Sequence, residues 1–307
     1  MKKKIKNNLF KLIIAVFIII YLLFSSDVIN ELKGSIKEVS KNINIEEVNQ
    51  NNFSDTLDVY FIDVGQADSI LIKNEEHSML IDAGNNEDGV KLVNYLNELN
   101  VNNLDYVIAT HAHEDHIGGM DDIINNFDVD KFFMPDVLTT TKTFEDVLDA
   151  LENNDMTYNT FEENQEFSFG DANVKILYVG NDKNDLNDTS IVMKITYYNN
   201  SFLFTGDISS KVEKKILNKD LKSDVLKVAH HGSDYSSTDE FLDLVDPKYA
   251  VISVGKNNIY KHPAESTLLK LNDRNIKIYR TDTSGTIIMN SDGNNITIKT
   301  IKTDTNG

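Results

Sequence analysis

Three of the chain's seven histidines fall within six residues, in the segment T-H-A-H-E-D-H-I-G-G of residues 110–119. His111 and His113 are two positions apart, so in an extended segment both imidazoles point the same way. Asp115 and His116 follow at the entry to a helical pattern and offer a carboxylate and an imidazole in another direction. These groups are nitrogen and oxygen ligands that divalent ions take in hydrolases. The spacing predicts two adjacent metal ions.

The residues around the ligands fit the same interpretation. Gly118 and Gly119 follow directly and would let the start of a helix pack close to the site. Glu114 is predicted to be solvated, because its neighbours already account for the ligands. The alternative is a polar loop with histidines placed by chance, and the H-x-H-x-D-H spacing after an apolar run argues against it.

The elements that position this cluster form a mixed α/β pattern. Residues 106–109 predict a short buried strand that leads into the cluster, and residues 117–126 predict a helix after it. Before them, the patterns predict strands at 57–64, 69–73 and 78–81 and a helix at 88–99. After them, the patterns predict helices at 143–151, 209–217, 238–244 and 264–271, and strands at 131–134, 174–179, 190–197, 201–204, 224–228, 249–254, 277–280, 286–289 and 296–299. Two sheets flanked by helices, an αββα sandwich, is the simplest arrangement.

Composition restricts the partners of the chain. The net charge is −19, although five lysines stand in the first eleven residues, so the remainder is more acidic still. Such a surface repels nucleic acid on average, and a nucleic-acid substrate would need local cations, which metal ions can supply. The chain contains no cysteine, which excludes disulfides and thiolate metal ligands.

The N-terminus predicts a membrane anchor. Residues 1–11 are basic and predict a cytoplasmic tail, while residues 12–26 carry no charge and predict one hydrophobic helix, a single-pass signal anchor. Everything after the anchor would lie outside the cell membrane. A cleaved signal peptide, giving a secreted protein, is the alternative, and a buried core helix is a third. Residues 27–55 are predicted to be a polar stalk, 56–302 the hydrolase domain and 303–307 a tail.

The histidine cluster resembles the metal-binding signature of the metallo-β-lactamase superfamily. The pattern of that family also includes an acid after an early strand, an Asp after a hairpin and a later His. Matching segments occur here in the same order, L-I-D-A-G at 80–84, F-T-G-D at 204–207 and V-A-H-H-G-S at 228–233. The resemblance covers roughly residues 56–302 and implies the αββα fold and a binuclear metal-dependent hydrolase.

Four further segments resemble the competence-protein branch of this superfamily, the ComEC/Rec2-like hydrolases. They are F-I-D-V-G-Q-A-D-S at 61–69, N-D-T-S-I-V at 187–192, L-K-V-A-H-H-G-S at 226–233 and N-I-Y-K-H-P at 258–263. Large members of the branch carry this domain beside a DNA-transport channel. With one hydrophobic segment, the chain looks like a stand-alone, membrane-anchored form. It departs from the branch at Ala67 and Lys261, where glycine is usual.

The resemblance implies a set of metal ligands. His111 and His113 would hold one ion together with a third group, and Asp115 and His116 would hold a second ion together with a late histidine. Asp207 would bridge both ions. His231 aligns best with the late histidine, which leaves His230 near the substrate. In the superfamily a histidine usually serves as the third ligand of the first ion. Here Asn187 occupies about that position.

The metal is expected to be Zn²⁺, with Mn²⁺ as the alternative, because the ligands are nitrogen and oxygen atoms without thiolate. The resemblance also implies roles around the ions. Asp82 would orient a ligand imidazole, or else act only as a strand-end turn residue. His262 would stabilise a leaving oxygen or complete the second ion, or else cap a helix. Asp63, Gln66 and Asp68 would line the cleft or form turns.

The implied chemistry is hydrolysis by a hydroxide that bridges two cations about 3.5–4 Å apart. A phosphodiester suits such a site, because the cations neutralise charge that develops in the transition state. The expected substrate is a nucleic acid or a choline- or teichoic-type phosphodiester of the cell envelope, and no protein partner is evident. A lactonase, thioesterase or β-lactamase on the same scaffold is the second hypothesis. A non-catalytic binding protein is the third, and it predicts eroded ligands.

Overall fold

In a computed structural model, residues 56–182 and 184–302 are described. They form seventeen strands, β1 (Leu57–Phe61), β2 (Ser69–Asn74), β3 (His77–Ala83), β4 (Asn103–Leu104), β5 (Tyr106–Ile108), β6 (Asp128–Val129), β7 (Phe132–Phe133), β8 (Tyr158–Asn159), β9 (Glu166–Phe169), β10 (Ala172–Tyr178), β11 (Val192–Tyr197), β12 (Asn200–Phe204), β13 (Val225–Lys227), β14 (Tyr249–Ile252), β15 (Lys277–Arg280), β16 (Thr286–Ser291) and β17 (Ile296–Ile301).

Eight α-helices accompany these strands in the same part of the chain. They are α1 (Gly89–Glu98), α2 (Glu114–Ile117), α3 (Met120–Asn126), α4 (Lys142–Asn153), α5 (Ser210–Ile216), α6 (Asp239–Val245), α7 (Glu265–Asp273) and α8 (Thr281–Ser284). Two 3₁₀ turns, Asn187–Thr189 and Ala229–Gly232, lie next to the functional segments.

The strands form two large sheets and one small one. The first sheet has the order β17-β16-β1-β2-β3-β5-β7-β8, and the second has the order β15-β14-β13-β12-β11-β10-β9. Strand β1 shows why the sheets face each other, because its alternate residues Leu57, Val59 and Phe61 are buried and belong to an apolar cluster shared with the second sheet. Rings of Phe61 and Phe204 stack between the sheets with centroids 6.3 Å apart.

The helices cover the outer face of each sheet. Apolar residues of α1, α3 and α4 pack with the first sheet, and those of α5, α6 and α7 pack with the second sheet. The result is an αββα sandwich, which confirms the fold predicted for the domain. The parallel pairs β3–β5, β12–β13 and β13–β14 bring the carboxyl ends of these strands to one edge of the sandwich.

The single helix predicted over residues 117–126 is wrong. Helix α2 ends at Ile117 and helix α3 begins at Met120, with Gly118 and Gly119 between them. A Cβ atom on Gly118 would lie 2.2 Å from the carbonyl carbon of Asn85, so the break is where the chain passes against a neighbouring loop. Asp115 and His116 therefore stand on a short helix of their own.

Within residues 56–302, no helix combines the length and the apolar character needed to cross a membrane. The predicted cytoplasmic tail, signal anchor and stalk, which together span residues 1–55, and the tail at 303–307 lie outside the described residues.

Candidate metal centre

The segments that carry the predicted ligands all follow strands that end at the same edge of the sandwich. The cluster that starts at His111 follows β5 of the first sheet, and Asp207 and His231 follow β12 and β13 of the second sheet. Asp82 lies near the end of β3, next to β5. The two sheets thus bring residues that are more than a hundred positions apart into one site.

Asp82 fixes the imidazole of His116 through a hydrogen bond to one of the two ring nitrogens. The Nδ1 atom of His116 lies 2.7 Å from a carboxylate oxygen of Asp82. The same carboxylate accepts hydrogen bonds from the backbone N–H of Thr110 at 2.8 Å and from its hydroxyl at 2.7 Å. Since Nδ1 donates to Asp82, the Nε2 atom of His116 is left as the free ligand atom of the ring.

Four predicted ligands converge at one point. Ligand atoms of Asp115, His116, Asp207 and His231 all lie within 4.8 Å of one another. The Nε2 of His116 is 3.4 Å from the Asp207 carboxylate, and the Nε2 of His231 is 3.2 Å from the Asp115 carboxylate. Three of the four side chains are almost fully buried, while Asp115 is 31% exposed. We call these four residues the ligand group.

The ligand group fits a divalent cation. Nε2 of His116 and Oδ1 of Asp207 are buried and have no hydrogen-bond partner, a state that costs free energy unless another group satisfies them. Two imidazoles and two carboxylates are a donor set that Zn²⁺ and Mn²⁺ accept. The residues present therefore suit the ion that the sequence predicts at this position.

The charges of the ligand group depend on one another. Burial opposes protonation of His116, but Asp207, Asp82 and Asp115 outweigh it and raise the pKa of His116 well above its usual value. The pKa of His231 is raised against burial by Asp207 and Asp115 in the same way. Burial alone would raise the pKa of Asp207, yet the neighbouring imidazoles hold it well below its usual range. The metal-free site thus binds protons where it would otherwise bind cations.

His111 and His113, which were predicted to be ligands, lie close together beside the ligand group. Nε2 of His111 lies 3.0 Å from Nδ1 of His113, so both nitrogens are close enough to reach one ion. Burial, followed by the charge of His116, lowers the pKa of His111 well below its usual value, so this imidazole is neutral. Among the described residues, two groups of His and Asp side chains have ligand atoms within 4.8 Å of one another. Neither group includes His111 or His113.

Asn187 is the first residue of a 3₁₀ turn, Asn187–Thr189. Two residues after the turn, the N–H of Ile191 donates to the carbonyl of Thr110, which precedes His111. The amide oxygen of Asn187 is buried without a hydrogen-bond partner. An oxygen in that state is available as a ligand or to an ordered water, which is compatible with the place predicted for Asn187.

The chain around His231 has an unusual backbone. His230, His231 and Gly232 have φ values of 52°, 51° and 83°, in the left-handed region that is costly for residues other than glycine. The turn is held because Nδ1 of His231 donates to the carbonyl of Ser253 at 2.9 Å. Strain of this kind is retained where neighbouring contacts fix the backbone, and here it aims Nε2 of His231 at the ligand group.

His230 and His262 line the open side of the site. His230 is 27% exposed, and its Nε2 lies 3.9 Å from the Asp207 carboxylate, outside the ligand group. The rings of His230 and His262 are 5.7 Å apart, and burial together with the charge of His230 lowers the pKa of His262. Lys261 has a φ of 58°, which explains why glycine suits this position in the branch.

Three further predicted positions can be placed. Asp68 is buried next to His231, with an oxygen 3.5 Å from Nδ1 of that ring. Asp63 has a turn-forming contact, because its carboxylate accepts the N–H of Gly65, and the charges acting on it come from Lys256, Asp282 and Asp88, outside the ligand group. Glu114 is exposed, as expected, but it also accepts the N–H of Asn86.

Sequence reasoning missed four residues that support the ligands. Thr110 joins Asp82 to the histidine cluster, and the hydroxyl of Ser190 accepts the N–H of Asp207. Ser253 fixes His231 through a backbone carbonyl, which leaves no mark on the sequence. Lys227 lies within the motif at 226–233, but nothing in its spacing predicts that its side chain is buried.

Residues 62–256 match the sequence model of a protein family, the Metallo-beta-lactamase superfamily. This match covers more than half of the chain, so the chain belongs to that superfamily, as its motifs predicted. The fold of this superfamily binds divalent metal ions, usually two, and its members are generally metal-dependent hydrolases.

The chain is also similar to competence proteins, which confirms the resemblance to that branch. It is 31% identical over 251 residues to ComE operon protein 3 of Bacillus subtilis (strain 168), a match of 75% of this chain and 32% of that protein. It is 30% identical over 232 residues to Competence protein ComA of Neisseria gonorrhoeae, a match of 73% of this chain and 31% of that protein. The chain spans about a third of the length of these relatives.

A solved structure shows the same fold. The metallo-beta-lactamase fold protein YhfI from Bacillus subtilis superimposes with a TM-score of 0.53 at 14% sequence identity, covering 77% of this chain and all of that one. At this identity the likeness establishes the architecture alone.

Proposed function

We propose that this protein is a binuclear metal-dependent phosphodiesterase that acts outside the cell membrane. The observation that carries the proposal is the ligand group, in which two imidazoles and two carboxylates converge and two buried ligand atoms lack any partner. Residues 12–26 would anchor the chain with residues 1–11 in the cytoplasm, or a cleaved signal would release it. The substrate would be a nucleic acid or an envelope phosphodiester, and the similarity to competence proteins supports the former.

The proposed chemistry divides between the ions and the side chains. When bound, two divalent ions would supply an activated water and Lewis-acid stabilisation of the phosphoryl oxygens. Asp82 and the Ser253 carbonyl fix the rings of His116 and His231, so the ligand atoms need no reorganisation. His262, whose lowered pKa keeps it neutral at pH 7, would donate an N–H to the leaving oxygen from the open side.

Activity on three chromogenic substrates tests the proposal. We expect the Zn²⁺- or Mn²⁺-loaded full chain to hydrolyse bis-p-nitrophenyl phosphate, and His113→Ala and Asp207→Ala to reduce kcat by 100-fold or more, about the loss expected when a pre-organised catalytic group is removed. His77→Ala is the matched control, because His77 is an exposed histidine bonded to Asp105, and it should keep full activity.

The other outcomes favour the alternative hypotheses. Preferred hydrolysis of a lactone, a thioester or nitrocefin would replace the phosphodiesterase with another hydrolase on the same scaffold. Full activity of Asp207→Ala would contradict the two-metal site. A wild-type protein that holds no metal after growth in metal-replete medium would support a binding protein.

A further inference from the structure

A buried ion pair lies behind the metal centre and joins the two sheets. Nζ of Lys227, the last residue of β13, is 2.7 Å from a carboxylate oxygen of Asp68, which precedes β2. Both side chains are about 1% exposed. Removing two charges from water is costly, and such a pair is poor evidence for stability. A role at the adjacent site would account for it.

Asp68 connects this ion pair to the ligands. Its second carboxylate oxygen has no hydrogen-bond partner and faces Nδ1 of His231 at 3.5 Å. Ligand-type atoms of Asp68, Asp82 and His116 form a second group within 4.8 Å of one another. The backbone N–H of Asp68 donates to the carbonyl of Asp115 at 3.0 Å. Lys227 therefore contacts Asp68, and Asp68 in turn lies next to His231 of the ligand group.

Two divalent ions and the carboxylates of this site would cancel in charge without Lys227. The two His–Asp groups contain four carboxylates, those of Asp68, Asp82, Asp115 and Asp207. Ligand imidazoles are neutral when they bind metal, so two divalent ions would leave the four ionised carboxylates with no net charge. In the part of the chain that the structure describes, Lys227 is the one Lys or Arg that forms an ion pair with any of them. It makes the loaded centre one charge more positive than the ions, the carboxylates and any bound hydroxide would be without it.

We propose that Lys227 is a charge-setting, positioning residue of the centre, which makes the metal-loaded site one charge more positive and so favours an anionic phosphoester. This inference rests on the proposed function, because it concerns the loaded centre. Lys227 neutralises Asp68, so that Asp68 supports His231 without cancelling the charge of an ion. A buried charge is screened little by solvent, and its effect reaches the neighbouring groups.

Opposite substitutions test this inference. Lys227→Met removes the positive charge with little change of volume, Asp68→Asn removes the negative charge, and the double variant removes both. The readouts are the dissociation constant for Zn²⁺, from competition with a chromophoric chelator, and that of inorganic phosphate for the Zn²⁺-loaded full chain, from calorimetry. Neither readout depends on turnover, and circular dichroism reports whether each variant is folded.

We expect Lys227→Met to weaken phosphate binding about tenfold, the order of effect of one unit charge at the effective dielectric constant of buried sites, and not to weaken Zn²⁺ binding. Asp68→Asn should weaken Zn²⁺ binding and tighten phosphate binding. The double variant should return both constants to near the wild-type values, because the net charge is the same. Lys227→Arg, which keeps the charge, should bind phosphate as the wild type does.

Several results would overturn the inference. Equal weakening of Zn²⁺ and phosphate binding by Lys227→Met would show a structural role alone, as would a folded double variant that fails to recover phosphate binding. If Lys227→Met does not fold, the double variant and Lys227→Arg decide the question by the same criterion. A wild-type protein that binds no Zn²⁺ would contradict the proposed function instead, which separates the two failures.

Discussion

At the scale of single residues, Asp82 determines which nitrogen of His116 faces the ligand group. Its carboxylate accepts the ring N–H at 2.7 Å and two donors of Thr110. Asp82 itself has a φ of 58°, in the left-handed region that aspartate enters more readily than most residues other than glycine. The backbone is held there because three short contacts fix the side chain in a buried position.

We expect Asp82→Asn to weaken Zn²⁺ binding about 10- to 100-fold, since an amide is a weaker acceptor for the ring N–H and removes a negative charge behind the ligand. Chelator competition measures the change. Asp105→Asn is the matched control, because Asp105 makes an equally short contact with the exposed His77, also 2.7 Å. Unchanged Zn²⁺ affinity in Asp82→Asn would contradict the role assigned to Asp82 in holding His116 as a ligand.

The raised pKa values of His116 and His231 give the metal-free protein a distinct dependence on pH. Because their folded pKa values exceed the unfolded value of about 6.5, the stability they contribute is fully present below pH 6.5 and is lost as pH rises through the folded pKa. His111 and His262 have lowered pKa values, so their contributions no longer change above that pH.

The free energy of unfolding of the EDTA-treated protein should therefore fall between pH 6.5 and pH 8.5, by about 1.4 kcal/mol per pH unit for each imidazole that stays protonated. Urea denaturation at several pH values measures it. The Zn²⁺ affinity should rise over the same range, because the metal displaces those protons. A metal-free protein that becomes more stable above pH 6.5 would contradict the assigned charges.

The candidate ligand positions could be singled out in the sequence because His, Asp and their spacing are local signals. The choice between His230 and His231 depended on a resemblance, and the left-handed turn that separates the two side chains is set by tertiary contacts. Thr110, Ser190 and the Ser253 carbonyl were missed for the same reason. Their partners are distant in sequence, and a Ser or Thr in the sequence does not indicate which distant group it will contact.

At the scale of elements, the break between α2 and α3 brings the ligand helix against the loop that follows β3. A Cβ atom on Gly118 would lie 2.2 Å from the Asn85 carbonyl carbon, and one on Gly119 would lie 2.6 Å from the Ala83 oxygen. Both neighbours are backbone atoms, which cannot rotate away as a side chain can. The two glycines therefore set the distance between the ligands and Asp82.

We expect Gly118→Ala to lower the free energy of unfolding by about 2–3 kcal/mol, because overpacking against backbone forces the helix to shift, and to weaken Zn²⁺ binding as well. Gly65→Ala is the comparison. Its Cβ would meet nothing within 4 Å, so it should cost only about 1 kcal/mol for its left-handed φ. If both variants unfold at the same urea concentration, the close approach does not constrain the helix.

The long elements were predictable because their periodicity extends over several residues, as in β1 and α1. Strands β4, β6, β7 and β8 have two residues each, too few for a pattern, and β7 alone was predicted. The predicted helix over 117–126 joined two helices, because the apolar spacing continues through Gly118 and Gly119. What stops the helix is the loop at Asn85, which is distant in sequence.

At the scale of the whole molecule, the order of the strands in each sheet could not be predicted from hydrophobic periodicity. Strand β16 pairs with β1 although more than two hundred residues separate them, and the sandwich was expected because of a resemblance. The net charge was available from composition alone. At −19, it predicts repulsion of polyanions that the metal centre must overcome locally.

This charge predicts an unusual salt dependence if nucleic acid is the substrate. We expect the rate on a single-stranded oligonucleotide to rise as ionic strength increases from about 0.01 to about 0.15 M, because the Debye length falls from about 30 to about 8 Å and screens the repulsion. Hydrolysis of bis-p-nitrophenyl phosphate, a small monoanion, should change little. A rate on the oligonucleotide that falls steeply with salt would indicate a basic binding surface instead.

The most direct test of the central claim is the number of divalent ions retained per chain after Zn²⁺ loading and gel filtration, measured by elemental analysis. The ligand group predicts at least one tightly held ion in the wild-type chain, a second at excess Zn²⁺ through His111 and His113, and loss of the tight ion in the isosteric variant Asp207→Asn. A wild-type chain that retains no ion, or an Asp207→Asn variant that retains as many as the wild type, would contradict it.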